Sequence, residues 1–481
     1  MSEAVIDLKD FNVSQTINGD KATGMMIIEN KETNEKYIAQ ILKSNNDEEK
    51  DKKAFLDEFK NISSLNYPSI LHFVGYSELD FDSQKNLTII LDYMSNNTLK
   101  SYLTRDQQDP TTKFIMLLGI SLGMKFLHSK ENIYGQLNPS NILIDDQFFP
   151  KLPAFGLSKK MNEKTNYTAP EIKINDLFTL QSDVYSFSII AYELITGKQS
   201  PVDIPSIPGE ENQRFFARCI SEDPKERPNF IEISRFILKK KIMSLFGEID
   251  LDKVNSYLDL YENDDEVLFL HGVMLSEFDK EKCVQYYKKA ISKGNSNAMN
   301  NYASMLKKGS GVPANKEEAV KYYLMGIERG NTISMNNYAN MLHNGDGVKT
   351  DKKEAFKYYK MAADKGHDSS MLNYANMLFN GDGVETNKEE AIKYYKKAIE
   401  KGNSSAMYNY ALILKSGNGV EAIKFYKMAA ERGNSSAMLN YANMLFNGDG
   451  VEVDKKEACM YYKMAAEKGN SSAMNNYANM L

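Results

Sequence analysis

No run of about 18 apolar residues occurs in this chain of 481 residues, so no segment is suited to cross a bilayer as a helix. The opening stretch MSEAVIDLKDF has no apolar signal core. Cysteine is scarce. Cys219, Cys283 and Cys459 stand far apart and supply neither a disulfide framework nor zinc-ligand spacing. No metal is expected, and a reduced, cytoplasmic compartment is. Strong charge of either sign is also missing. The net charge is −6, with signs mixed along most helical stretches, and no basic patch carries interleaved aromatics. Nucleic acid is therefore not an expected partner. The one basic run, Leu238 to Met243, reads as a solvated helix end.

What is present is a repeat. From about Asp265, apolar units rich in Asn and Tyr-Tyr pairs recur, and the glycine ending each falls at 294, 330, 366, 402, 433 and 469. The spacing is 36 residues except for one interval of 31. A fixed period in this range marks a solenoid. Each unit predicts two helices with one apolar face. Met407, Tyr410, Ala411 and Leu414 share one face, and Ala391, Tyr394, Tyr395 and Ala398 share another. Gly402 reads as a helix C-cap and Asn403 or Ser404 as the next N-cap. The glycines of NGDGV, Asn380 to Val384, supply the bend between paired helices. The short unit loses five residues between Val420 and Glu421, inside a connecting loop. The stretch from Asp265 to Lys293 reads as an irregular first unit, and the last helix stops within its unit at Leu481, as in a truncated chain.

The pattern A-x-x-x-Y-A-x-x-L-x-x-G-x-G-V…K-E-A-x-x-Y-Y-x-x-A-x-x-x-G resembles the Sel-one-like repeat, a relative of the tetratricopeptide repeat. The resemblance implies a peptide- or protein-binding array. Asn301, Asn337, Asn373, Asn409, Asn440 and Asn476 precede the same tyrosine in every unit. An amide both donates and accepts, so such a column is expected either to line a peptide groove or to bond one repeat to the next.

Residues from about 10 to 240 carry a second pattern. The segments E-F-K-N-I-S-S-L-N-Y-P-S-I-L (58–71), LTIILDYM (87–94), NILIDDQFFPKLPAFGLSK (141–159), TAPE (168–171), SDVYSFSIIAYELITGK (182–198) and CISEDPKERPNF (219–230) follow in order. They resemble a protein kinase of the tyrosine-kinase-like group. The resemblance implies a nucleotide pocket around Gly19, Gly24, Ala39, Glu58, Leu91, Asp92, Met94 and Asn141. It also implies structural roles for Tyr134, Phe155, Glu171, Asp183 and Arg227. Glu171 and Arg227 are the expected buried ion pair, and Asp183 the expected holder of the loop at Tyr134.

The residues that would do the chemistry are replaced. The catalytic-loop Asp position is Gln136, too weak a base to take a proton. The loop Lys is Asn138, and the neighbouring Arg is Gly135. The magnesium-binding Asp position is Ala154, whose methyl cannot ligate a hard cation. The strand lysine is replaced by Gln40 or, in the adjacent register, by Ile41. Phosphoryl transfer depends on positioning and charge neutralisation, and these positions supply both. The expectation is an α+β bilobal protein-kinase fold followed by an all-α helical-repeat solenoid. Its parts are a lead-in (1–10), a kinase-like domain (11–241), a helical linker (242–264) and the array (265–481). The expected role is a signalling scaffold with no required cofactor, ATP binding being weak and without magnesium. The alternatives are an atypical kinase borrowing Lys43 or Lys21, and a nucleotide-sensing switch.

Overall fold

The computed structural model describes residues 5–18, 25–42, 67–84, 86–105, 108–135, 137–153, 165–175, 178–199, 201–415 and 419–481. The chain divides into two compact units, Met1–Tyr286 and Tyr287–Leu481.

The first unit opens with five strands: β1 (Phe11–Asn18), β2 (Met25–Asn30), β3 (Lys36–Leu42), β4 (Phe73–Ser77) and β5 (Leu87–Asp92). They form one antiparallel sheet in the order β1-β2-β3-β5-β4. Side chains of β3 and β5 are buried on both faces, which is why these strands read as near-continuous apolar runs rather than alternating ones. One face is covered from the chain's own start. Leu8 packs with Ile28, Ala39 and Ile90, flanked by Ile6 and Phe11. The lead-in is thus part of the sheet's packing.

Helices α1 (Leu99–Leu103) and α2 (Pro110–Ser129) follow, then the hairpin β6 (Leu143–Ile144) and β7 (Pro150–Lys151). Helices α3 (Pro170–Asn175), α4 (Leu180–Thr196), α5 (Glu210–Cys219), α6 (Phe230–Ile237) and α7 (Lys240–Met243) complete the stretch that resembles a kinase. The two long helices have explicit start signals. Asp109 caps α2 and Pro110 sits in its first turn. Thr179 and Ser182 form a reciprocal capping pair on α4, which ends at the left-handed Gly197. Both helices are buried along most of their length, so they form the core that carries the functional loops.

Two more helices, α8 (Leu251–Asp259) and α9 (Asp265–Leu275), belong to this same unit, with the start of α10 (Lys280–Ser292). The stretch 242–264, expected as a helical linker, packs into this unit. Ile242, Met243, Val254, Tyr257, Leu258 and Tyr261 are all buried.

In the second unit the helices run in pairs. They are α11 (Ser296–Lys308) and α12 (Lys316–Glu328), α13 (Thr332–Asn344) and α14 (Lys352–Asp364), α15 (Asp368–Asn380) and α16 (Lys388–Glu400), α17 (Ser404–Lys415) and α18 (Gly419–Glu431), α19 (Ser435–Asn447) and α20 (Lys455–Glu467), with α21 (Ser471–Ala478) last. Asn or Asp caps most of them, and Asn403 accepts the Ala406 N–H to start α17. The first glycine of the G-x-G bend is left-handed, at φ 68° for Gly345 and Gly381. The second is left-handed too, at φ 76° for Gly347 and 77° for Gly383, and has a further reason. A Cβ on Gly347 or Gly383 would fall 2.4 or 2.5 Å from the Cβ of Lys316 or Lys352 in the preceding pair. These glycines let successive repeats approach.

Candidate functional site

The register of β3 decides what the cleft contains. Ile38 pairs with Leu91 and Gln40 with Ile89, whereas Ala39 pairs with Ile90. Directly opposed residues of an antiparallel pair point to the same face. Gln40 and Ile38 therefore share the face of Leu91, and Ala39 points away from it into the cluster with Leu8, Ile28 and Ile90. Of the two registers open for the strand-lysine position, Gln40 lies on the face of Leu91 and Ile41 on the opposite one. Ala39, expected in the pocket, also lies on the opposite face, and Ile38 is the residue beside Gln40 on the face of Leu91. The alternation was hidden because both faces of β3 are apolar. Gln40 is buried, and its Oε1 makes no hydrogen bond among the described residues.

Leu91 is fully buried, and Asp92 and Met94 continue from β5 half-exposed. The Asp92 N–H donates to the His72 carbonyl at 3.2 Å, so β5 is tied to the loop before β4. Gly19, Gly24, Glu58, Gln136, Ala154 and Phe155 lie outside the described residues.

The loop from Tyr134 to Asn141 is held from below. Asp183, near the start of α4, is 1% exposed. Its Oδ2 accepts the Tyr134 N–H and its Oδ1 the Gly135 N–H, both at 2.8 Å, and His128 Nε2 lies 3.0 Å from Oδ2. Gly135 has φ 77°, a left-handed conformation that suits glycine, and here it contributes only its backbone. The Tyr134 hydroxyl donates to the Asn141 carbonyl at 3.3 Å. Burial and the Asp183 charge push that phenol well above its ordinary range. Asn138, in the place of the loop lysine, accepts the Ser140 N–H at 2.9 Å. This amide braces its own turn, a role a lysine ammonium cannot take because it has no acceptor. Asn141 is buried beneath it.

Glu171 and Arg227 meet in a two-pronged pair, Nη1 to Oε1 at 2.6 Å and Nη2 to Oε2 at 2.9 Å. Arg227 also donates to the Ser221 and Gln181 carbonyls. Burial alone would raise the Glu171 carboxyl, but the guanidinium outweighs it and holds it below the ordinary carboxylate range. Tyr167 donates its hydroxyl to the buried Glu193 at 3.0 Å. Thr165 and Thr168 bond to each other across a turn. All three serve the local packing.

Of the two roles open to the column of asparagines, the hydrogen bonds fit the one in which amides join one repeat to the next. Asn337 Nδ2 donates to Asn300 Oδ1 at 3.0 Å and Asn373 Nδ2 to Asn336 Oδ1 at 3.2 Å. Asn409 donates to Asn376 at 2.8 Å and Asn476 to Asn443 at 3.2 Å. Each bond reaches into the preceding repeat. Asn301, in the first rung, donates to the Tyr287 hydroxyl at 3.2 Å. Asn440 lies beside the Tyr426 hydroxyl without hydrogen-bond geometry to it. All six are half-buried.

The Tyr-Tyr pairs divide the remaining work. The first ring packs edge-on against the tyrosine of its partner helix, as in Tyr338–Tyr358 at 5.1 Å and Tyr441–Tyr461 at 4.8 Å. The second hydroxyl donates to an asparagine oxygen, Tyr359 to Asn340, Tyr395 to Asn376 and Tyr462 to Asn443, at 2.6–2.7 Å. Asp382 adds an ionic tie to Lys352 at 2.5 Å and a hydrogen bond with His343 Nε2 at 2.7 Å, and Asp346 pairs ionically with Lys316 and Lys307. Those cations hold both carboxyls below their ordinary range.

The short repeat breaks both devices. Leu412 stands where Asn340, Asn376 and Asn443 stand, and Gly419 starts α18 where Lys316 and Lys352 start theirs. The buried Tyr426 hydroxyl has no hydrogen-bond partner among the described residues. Leu412 is exposed, so little packing is lost by changing it. Leu412→Asn should give Tyr426 its acceptor and stabilise the array by about 0.5–1.5 kcal/mol. A urea midpoint for the full chain that does not rise would contradict this.

Comparison with known proteins follows the two units. Residues 13–237 match the family described as protein tyrosine and serine/threonine kinase. Sel1 repeats match at 267–295, 296–331, 332–367, 368–403, 404–434 and 435–470. The chain carries a protein kinase domain followed by six Sel1 repeats. It is similar to the serine/threonine-protein kinase PBL27 of Arabidopsis thaliana, 33% identical over 200 residues, 37% of this chain and 38% of the relative. The receptor-like kinase LIP2 of the same plant is 34% identical over 202 residues, 37% of this chain and 35% of the relative. A seven-transmembrane-domain-containing tyrosine-protein kinase of Dictyostelium discoideum is 31% identical over 230 residues, 40% and 33%. The chain spans about a third of the length of these relatives. Among solved structures, a Sel1 repeat protein from Oxalobacter formigenes is 27% identical, covering 43% of this chain and 86% of its own, at a TM-score of 0.41. No helix among the described residues is long and apolar enough to cross a membrane.

Proposed function

We propose that this protein is a signalling scaffold: a kinase domain that does not transfer phosphate, joined to a repeat array that captures proteins or peptides. The observation that carries this reading is Gln40. It sits on the Leu91 face where a lysine would meet the phosphates, is buried, and brings an amide instead of a cation. Transfer also needs a proton acceptor and a bound metal, and the sequence offers Gln136 and Ala154 at those positions. Losing one preorganised electrostatic contribution costs about 10²–10³ in rate, and here separate roles go together. What remains serves shape: the Asp183 anchor, the Glu171–Arg227 pair and the braced loop at Asn138. The motif flavour places the domain in the tyrosine-kinase-like group. ATP binding is weak and independent of magnesium, and the reduced cysteines suit the cytoplasm. A helical-repeat array offers an extended surface for partners. With the asparagine amides engaged between repeats, capture falls to other side chains of that surface.

One observation favours a second reading. The relatives are named kinases, so an atypical phosphotransferase is the alternative, with a nucleotide-sensing switch between the two. A thermal-shift titration with ATP, with and without magnesium, separates them when run beside a γ-phosphate transfer assay. No magnesium-dependent shift and no transfer are expected. Transfer that disappears in Ile38→Phe, whose ring would fill the adenine side of the cleft, would overturn the scaffold reading.

A further inference from the structure

Residues 250–264 do more than follow the kinase domain. Asp250 caps α8, and its N–H donates to Thr111 Oγ1 at 3.0 Å, which pins the helix to the start of α2. At the other end three hydroxyls meet. Tyr257 lies 3.2 Å from Ser69 Oγ and 2.7 Å from the Tyr261 hydroxyl, and Tyr261 also bonds Ser69. Asp264 then closes the junction. It accepts from Lys125 Nζ at 2.8 and 3.0 Å and from the Tyr67 hydroxyl at 2.9 Å, and it caps α9 through the Val267 N–H. Tyr67 stacks on Phe126 and meets Tyr261 edge-on.

The loop so gripped, residues 67–72, is bonded to both sides of the cleft. Leu152 N–H donates to the Ser69 carbonyl at 2.8 Å, and Leu71 N–H to the Leu152 carbonyl at 3.0 Å. Lys151 Nζ donates to the Pro68 carbonyl, and the His72 carbonyl holds Asp92. Leu152 lies two residues before Ala154. The approach needs two glycines on one face of α2. A Cβ on Gly119 would lie 2.2 Å from the Tyr257 hydroxyl and 2.5 Å from Pro150 Cγ, and one on Gly123 would lie 2.7 Å from Leu152 Cδ1.

We infer that residues 250–264 are a built-in brace that fixes the 67–72 loop, and through it the 150–152 segment and the hinge at Asp92, without any ligand in the cleft. The brace ties the cap of the first repeat helix, α9, to the kinase domain's own joint. This inference stands whether or not the cleft turns over nucleotide, so its test and that of the scaffold reading fail independently.

The experiment is amide hydrogen exchange on the full-length protein without nucleotide. Two variants remove the grip with little change of volume: Tyr257→Phe with Tyr261→Phe, and Asp264→Asn, which keeps a capping oxygen. In each, exchange at 73–77, 87–92 and 150–152 should rise by about tenfold, the opening expected when such bonds are lost, with α4 and the array unchanged. A rise confined to 250–264 would overturn the brace, as would a uniform rise across the first unit. If Asp264→Asn fails to fold, the tyrosine pair decides alone. Gly119→Ala gives an independent reading. Alanine favours a helix over glycine, yet this change should mimic the tyrosine variant by displacing Tyr257. Unchanged exchange there would count against the brace.

Discussion

Arg227→Met should destabilise the first unit by about 3–5 kcal/mol, the range for removing one partner of a buried pair. The guanidinium is fully enclosed and satisfies Glu171 with two bonds and the Ser221 and Gln181 carbonyls with one each. Methionine keeps much of the volume and offers no donor, so a carboxylate and two carbonyls lose their partners at once. Against a total stability of about 5–15 kcal/mol this is a large fraction. Calorimetry of the full chain should show the first unit's transition falling sharply while that of the array stays in place. The pair also predicts a direction with pH. The Glu171 carboxyl is held below its ordinary value, so its contribution is complete above the ordinary carboxylate range and is lost as pH falls through the depressed folded value. The gap between wild type and Arg227→Met should therefore narrow in acid. A constant gap down to the acid transition would show that packing, not charge, carries the effect. Adding Glu171→Leu should recover only part of the loss, because the two carbonyls still lack donors.

Asp183→Asn is the second large effect. The carboxylate accepts two backbone N–H groups from adjacent residues, one on each oxygen, in a site shut off from water. An asparagine has one oxygen, so its NH₂ must face a backbone N–H, donor against donor. Hydrogen bonds to charged groups contribute about 1.5–3 kcal/mol, and an unsatisfied buried donor adds a cost of its own. The expected result is a loss of about 1.5–3 kcal/mol, with raised amide exchange at 134–141. Unaltered exchange at Tyr134 and Gly135 would mean that His128 or the loop's own turn at Asn138 suffices to hold it. Neither variant touches a group that does phosphoryl chemistry. Their size reflects where this domain places its buried polar contacts.

Several features were legible from residues alone because they are local. Asn or Asp before a helix, glycine at a left-handed end and apolar residues at i, i+3, i+4 fix helix ends and faces within a few residues of chain. That is why the repeat period and its one short interval could be read directly. The kinase motifs were legible for a related reason, since each is a short segment in fixed order. The cleft was less so. In YIAQIL every position is apolar or small except Gln40, and a strand buried on both faces carries no alternation to set its register. The choice between Gln40 and Ile41, and the loss of Ala39 from the pocket, depended on the partner across the sheet. Residues 242–264 looked like a linker because their apolar positions have no partner nearby in sequence. Those partners include Tyr67, against Tyr261, and Phe149, against Tyr257, both about 100 residues or more away.

By itself, then, the sequence determined the order of the domains, the helical punctuation of the array and the identity of the residues, Gln136 and Ala154, at the places where the kinase motifs align a base and a metal ligand. These are matters of residue identity and local periodicity. Only the tertiary structure decided which face Gln40 joins, that the asparagines bond repeat to repeat, and that the helix after the kinase domain grips its joint. Those depend on which groups meet across long loops, and hydrogen bonds and close packing, not composition, choose between the possible meetings.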